Sequence, residues 1–185
     1  MDQSSGNQLK INKFPIYIVF LVPLWIFAEN LGGFTGSEFR YGSNAREFAL
    51  AGALVAESNP GFRQFSNPAL LARIESSEAG VSFFKMSLDR SIQTLTYNRH
   101  LPPKAGVGLS LYRTGIDNIT GRNTIGEVTE TFSSSDIMGM LTFAVQFTEK
   151  LSIGLNVKIL YSSLMEDINS SGLGVDIGVS YLVSD

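Results

Sequence analysis

The feature that most constrains this chain is a strict two-residue alternation of apolar and small or polar side chains, sustained over most of its C-terminal half. From Lys104 to Tyr112 one parity is Ala105, Val107, Leu109 and Leu111, and the other is Gly106, Gly108, Ser110 and Tyr112. From Asp136 to Thr148 the apolar parity is Ile137, Gly139, Leu141, Phe143, Val145 and Phe147. Leu151, Ile153, Leu155, Val157, Ile159 and Tyr161 repeat the pattern, as do Leu173, Val175, Ile177, Val179 and Tyr181. Side chains in a strand point to opposite faces in turn, so alternation of this length predicts strands and not helices. Thr148-Glu149-Lys150 reads as a tight hairpin, and Leu88-Asp89-Arg90-Ser91 as the turn of an earlier, less regular pair at about 79–88 and 91–100. Pro102-Pro103 cannot donate to a ladder and forces a turn before Lys104. Residues 115–134, rich in Gly, Asn, Thr and Ser, read as a longer loop with an extended stretch at 124–132. The expectation is an all-β chain of about six strands in antiparallel, up-and-down order.

Two architectures fit such strands. In a soluble sandwich the apolar parity packs inward and the polar parity meets water. In a transmembrane barrel the apolar parity meets lipid and the polar parity lines a lumen. Alternation alone does not separate them, because each has one apolar face. Three details favour the barrel. The strands run about 10 to 13 residues, close to the roughly 9–11 that cross a bilayer with tilt. The polar parity is largely Gly, Ser and Asn, not the charged residues usual on a wet sheet. Tyr112, Phe147, Tyr161 and Tyr181 fall at strand ends, where interfacial aromatics form girdles.

The N-terminus carries an export address. Lys10 and Lys13 precede an apolar run from Phe14 to Ala28, too short for a transmembrane helix. This matches a secretory signal peptide over residues 1–28, with cleavage near Ala28; an uncleaved membrane anchor is the alternative. The composition narrows function by exclusion. The chain has no Cys and one His, so disulfide frameworks, thiol nucleophiles and multi-histidine metal sites within one chain are out. With 14 Lys and Arg against 17 Asp and Glu, no basic excess supports sequence-independent nucleic-acid binding.

Between the export segment and the strands, residues 29–77 form a separate region, and 41–75 carry its motifs. In Phe65-Ser66-Asn67-Pro68-Ala69-Leu70-Leu71-Ala72, Asn67 is placed to cap a helix and Pro68 to occupy its first position. A short helix over Ala69 to Arg73 then leads into the first strand. By itself this is an ordinary helix start. Together with Gly42-x-x-Ala45-Arg46 and Gly52-Ala53-x-Val55-Ala56, however, it resembles the N-terminal signature of the PorV/PorQ family, outer-membrane β-barrels similar to the FadL fatty-acid transporters. The likeness continues through Glu130-Thr131-Phe132-Ser133, Leu151 to Lys158 and Ser171 to Gly178, and spans about residues 36–183. It implies that residues 78–185 are barrel strands and that residues 29–77 fold into the lumen as a plug.

The resemblance implies ligand-binding or plug roles for Arg46, Gly52, Asn67, Pro68 and Ala69. It implies no cofactor. The partners it implies are outer-membrane lipid, a hydrophobic ligand such as a fatty acid, and secretion machinery or exported cargo, since family members serve either transport or type IX secretion. Three features depart from the family pattern: Ser66 stands where an aromatic usually precedes Asn-Pro-Ala, Phe48-Ala49-Leu50-Ala51-Gly52 replaces the expected Gly-Met-Gly-Gly, and the last residue is Asp185 and not an aromatic. With about six strands, the chain reads as the N-terminal part of a barrel, or as one completed by oligomerisation, because bacterial single-chain barrels begin at about 8 strands. A secreted β-sandwich binding module is the alternative.

No catalytic set is expected. His100, the only histidine, stands beside Leu101-Pro102 at a strand end and has the position of a surface or turn residue. Asp136, Asn156, Lys158 and Asp176 are polar positions on the lumen parity, where Lys158 and Asp176 have the spacing to pair across neighbouring strands. They read either as a structural network or as a selectivity filter for ligand or ion. Asp117, Glu127, Glu166 and Asp167 read as solvated loop carboxylates, and Gly106 and Gly108 fall within a strand and form no phosphate loop.

Overall fold

A computed structural model of the chain describes residues 37–57, 60–164 and 168–183. The expected signal peptide at 1–28 and the carboxylates at 166 and 167 lie outside these residues. Six strands follow one another as β1 Glu78–Lys85, β2 Arg90–Leu101, β3 Ala105–Arg122, β4 Val128–Gln146, β5 Leu151–Leu164 and β6 Ile168–Tyr181. They pair in that order as one antiparallel meander. The fold is all-β, with β1 and β6 each paired on one side only among the described residues.

Two local expectations are corrected. The first turn is Met86–Asp89, two residues earlier than Leu88–Ser91, because Lys85 already pairs with Ser91 and Met86 N–H donates to Arg90 O at 2.8 Å. Leu88 and Asp89 take the left-handed conformation there. Residues 115–134 are not a loop. β3 is 18 residues long and β4 is 19, and only Asn123–Glu127 connect them. Asn123 Oδ1 closes that turn by accepting from Ile125 N–H and Glu127 N–H. Polarity suggested a loop because the outer part of this hairpin has no neighbouring strand. Pairing with β2 ends at Ile116 and pairing with β5 ends at Ser134. The ribbon beyond them, with register breaks after Ile116 and after Thr120, has no buried face to impose an apolar parity.

The registers align the strands into rows across the sheet. On one face, Val81–Leu95–Leu111–Gly139–Ile159–Leu173 form a row. Ala79–Tyr97–Leu109–Leu141–Val157–Val175 form the next. These apolar side chains are exposed, Leu109 and Val175 at 63% each. The opposite, polar parity is the buried one: Thr96, Asn98, Ser110, Thr142, Ser152 and Asn156 are all within a few per cent of full burial. The sheet is therefore apolar outside and polar inside.

What covers the inner face is the chain before β1. It contributes a 3-10 turn at Ser37–Arg40, helix α1 Ala45–Ala49, helix α2 Arg63–Ser66 and a 3-10 helix Pro68–Arg73. Asn67 caps the last of these by accepting from Ala69 N–H at 3.0 Å, with Pro68 at its first turn. Pro68 through Ala72 are buried against the sheet. The expected place of Tyr112 in an aromatic girdle, at a strand end, is also corrected. Tyr112 is instead 1% exposed on the inner face, packed with Ile92 and Met138. β3 continues ten residues past it to Arg122, and its parity is the inward one.

Candidate functional site

The site is the contact between the inner face and the segment Gly61–Arg73. Two adjacent inner rows make it. The first is Gly106–Ala144–Gly154–Gly178, one small residue from each of β3 to β6. The 3-10 helix lies directly on this row. A Cβ on Gly178 would stand within 3.0 Å of Asn67 Oδ1 and of the Pro68 ring. One on Gly154 would stand within 3.0 Å of the Pro68 carbonyl carbon and the Ala69 nitrogen, and one on Gly106 would meet Leu71 O at similarly close range. Successive helix residues thus rest on successive strands, from β6 at Asn67 to β3 at Leu71. Leu71, Ala72 and Ile74 form an apolar cluster with Ala144 between them. Any side chain larger than hydrogen at these glycines would lift the helix off the sheet.

The second row is Glu78–Asn98–Gly108–Thr142–Asn156–Asp176. It carries a hydrogen-bonded network centred on Gln64, which is 0% exposed. Gln64 Nε2 donates to Ser110 Oγ at 2.8 Å, and Gln64 Oε1 accepts from Asn98 Nδ2 at 3.1 Å. Gln64 O accepts from Asn156 Nδ2 at 3.0 Å, and Asn156 Nδ2 also reaches Asp176 Oδ2 at 3.1 Å. Thr142 Oγ1 donates to Asn156 Oδ1 at 2.7 Å. At the β1 end, Arg63 forks onto Glu78, with Nη2–Oε1 at 2.6 Å and Nε–Oε2 at 3.2 Å, and Gly61 N–H donates to the same carboxylate at 2.9 Å. At the β6 end, Asn67 Nδ2 donates to Val179 O and to Val55 O, both at 3.1 Å. Polar atoms cut off from water need such partners, and here they tie one short segment to both ends of the sheet.

The residues singled out from the sequence distribute unevenly over this arrangement. Asn67, Pro68 and Ala69 stand at its centre, buried on Gly154 and Gly178. Asn156 and Asp176 belong to the polar row. Lys158, one row away, pairs diagonally with Asp176 at 2.6 Å, with 25% and 41% of their side chains exposed. Asp136 is buried on the inner face opposite Thr114, three rows from Asn156, and is outside the network. Arg46 and Gly52 are not brought to it either. Arg46 pairs with Glu57 on the surface, and Gly52, at φ +80°, forms the exposed turn after α1. His100 is on the inner parity of β2, half-buried, with a buried Nδ1 that has no hydrogen-bond partner among the described residues, and is not a turn residue.

Sequence reasoning missed Gln64, Arg63, Glu78, Asn98 and Thr142. The available signal was that the polar side chains of the strands fall on one parity, but only the register places Asn98, Thr142 and Asn156 in a single row. Above the polar rows, toward the β3–β4 ribbon, the inner face turns apolar. Ile92, Tyr112 and Met138 are packed there with Phe39, Phe65, Phe84, Met86 and Leu160. No group of three or more metal-binding side chains occurs among the described residues. No protein-family model matches the chain, and no curated protein matches it.

Proposed function

We propose that the chain forms wall strands and plug of an outer-membrane β-barrel of PorV/PorQ, FadL-like type, without catalysis, passing or handing over hydrophobic molecules or exported proteins. The observation that carries this reading is the inverted sheet: the apolar parity is exposed and the polar parity is buried under the Gly61–Arg73 segment. Water-facing sheets are built the other way round, and a lipid-facing wall needs this one. The outer surface also has a bounded apolar band. On β5 it runs from Leu151 to Tyr161 and gives way to Ser163. Ten residues span about 33 Å of strand, or about 25 Å of height at a tilt of roughly 40°, the thickness of such a band.

Beyond the band, the outer row Lys85–Ser91–Gly115–Ser135–Ser163–Asn169 holds no large apolar side chain. The turns at the other end, Pro102–Lys104 and Phe147–Lys150, are short, as turns on the periplasmic side are. On this reading the β3–β4 ribbon, which extends beyond the band, faces the exterior. The inner apolar cluster around Tyr112 then lies on the exterior side of the polar, plugged floor, a place suited to a hydrophobic molecule. The ribbon, standing clear of its neighbours, suits handover of a protein client.

The test is electrophoretic mobility of the detergent-extracted full-length protein with and without boiling. A heat-dependent shift is expected, and extraction as a soluble monomer without detergent overturns the reading. Labelled fatty-acid uptake that falls when Asn67 is substituted supports transport; unchanged uptake with co-purifying exported protein supports the handover role.

A further inference from the structure

The outer face carries a groove that the plug and the inner rows do not explain. It has a volume of about 540 Å³ and lies across β1, β2 and β3. Val81, Phe83, Leu95 and Leu111 supply its apolar walls, and Gln93 and Arg113 stand at one end. These six residues share the outer parity, and Phe83, Gln93 and Arg113 share one row. The groove therefore begins in the apolar band and ends at its polar border.

The charge at that border is unbalanced. The two outer rows there contain Lys85 and Arg113 and no carboxylate. Arg113 makes no ion pair among the described residues. Its guanidinium leans away from the band: Nη2 lies 3.7 Å from the place a Cβ on Gly115 would take, one row further out. A cation that bends from an apolar surface toward a polar edge is snorkelling, and it marks the depth of lipid headgroups. Lys85 and Arg113 are two strands and one row apart, about 12 Å between Cα atoms from strand spacing and rise. Both side chains are long enough to converge on one anion seated over Gln93.

We infer that this groove holds a phosphate-bearing lipid, with an acyl chain along Val81, Leu95 and Leu111 and the phosphate on Arg113 and Lys85. The inference rests on the membrane reading. It goes beyond it by assigning a specific lipid site to the outer wall, separate from any client in the lumen. Charge complementarity selects the occupant: an uncompensated guanidinium and ammonium beside an apolar channel fit an anionic amphiphile and not a zwitterionic one.

The test is native mass spectrometry of the detergent-solubilised full-length protein. It is offered phosphatidylglycerol and phosphatidylcholine with identical acyl chains. Preferential retention of phosphatidylglycerol is expected, falling about fivefold for each cation removed in Arg113→Gln and Lys85→Gln. Arg99→Gln, which removes an outer-face cation away from the groove, leaves the preference intact. Equal retention of the two lipids, or a preference that survives the Arg113→Gln/Lys85→Gln double variant, overturns the inference. So does equally tight binding of glycerol 3-phosphate, which has the headgroup chemistry but no chain. The heat-dependent mobility shift is recorded on the same samples. Its loss counts against the membrane reading, whereas a normal shift without lipid preference counts against the lipid site alone.

Discussion

Asn67 and Gly178 share one space. The carboxamide oxygen of Asn67 stands where a Cβ on Gly178 would be, and its nitrogen donates to Val179 O on the same strand. One asparagine thus caps the 3-10 helix, bonds the last described strand and fills the notch left by a glycine. The N-terminal segment and β6 are separated by more than a hundred residues, and this contact joins them.

The first prediction concerns that notch. Gly154→Ala places a methyl group against the Pro68–Ala69 backbone, and Gly178→Ala places one against the hydrogen-bonded Asn67 carboxamide and the rigid Pro68 ring. Overpacking of this kind costs about 1–3 kcal/mol. Gly172→Ala meets only Leu160, at 3.8 Å, and is tolerated. Thermal unfolding in detergent, followed by circular dichroism, should separate the first two from the third.

Replacing Asn67 removes a cap and two donors together. Asn67→Ala is expected to cost about 1–2 kcal/mol for the cap, with a further loss for the carbonyls of Val55 and Val179. Asn67→Ser keeps a capping oxygen but not the amide donors, and should fall between wild type and alanine. If serine and alanine are equally destabilised, the cap contributes nothing. Limited proteolysis of the segment before β1 provides the second readout.

Gln64 bridges α2 to β2, β3 and β5. Gln64→Leu leaves the Asn98 amide and the Ser110 hydroxyl without these partners in a buried place, at about 1–3 kcal/mol. Ser110→Ala removes one acceptor and should cost less. A Gln64→Leu protein as stable as wild type would show that water replaces the amide.

The two ion pairs should behave differently. Arg63 and Glu78 are only 13% and 17% exposed, and Gly61 shares the carboxylate. Removing either partner alone is expected to cost about 3–5 kcal/mol, and the double variant less than the sum. Lys158 and Asp176 are far more exposed, and Lys158→Met should change stability by about 1 kcal/mol or less. A double-mutant cycle on each pair, at low and high salt, measures the difference.

The last prediction addresses the outer face. Leu109→Arg and Leu141→Arg lie mid-band and should cost about 2–4 kcal/mol in a bilayer, whereas Ser135→Arg on the polar row should cost close to nothing. Refolding yield into lipid vesicles tests this, and a depth-independent effect would remove the lipid-facing reading of this surface.

Much of this arrangement was legible from local chemistry. Alternation specified strands, their order and which residues share a face, because side-chain direction in a strand depends only on the neighbouring residues. Asn67-Pro68 specified a helix start for the same reason. The carboxylate–ammonium pair of Lys158 and Asp176 followed from strand spacing. What local chemistry left open was which parity is covered, since either face of an alternating sheet can be the buried one. The tertiary structure decided that, by laying Gly61–Arg73 across the polar side. It also gave the glycines their reason: the helix backbone lies on Gly106 and Gly154, and the Asn67 and Pro68 side chains lie on Gly178, all too close to admit a Cβ. It lengthened β3 and β4 through a polar stretch whose pairing comes from the partner strand and not from burial. Gln64 became central only when the register brought Asn98, Ser110 and Asn156 around it. Contacts between residues far apart in the chain are settled by packing, and a sequence read locally carries the faces of a sheet but not what lies against them.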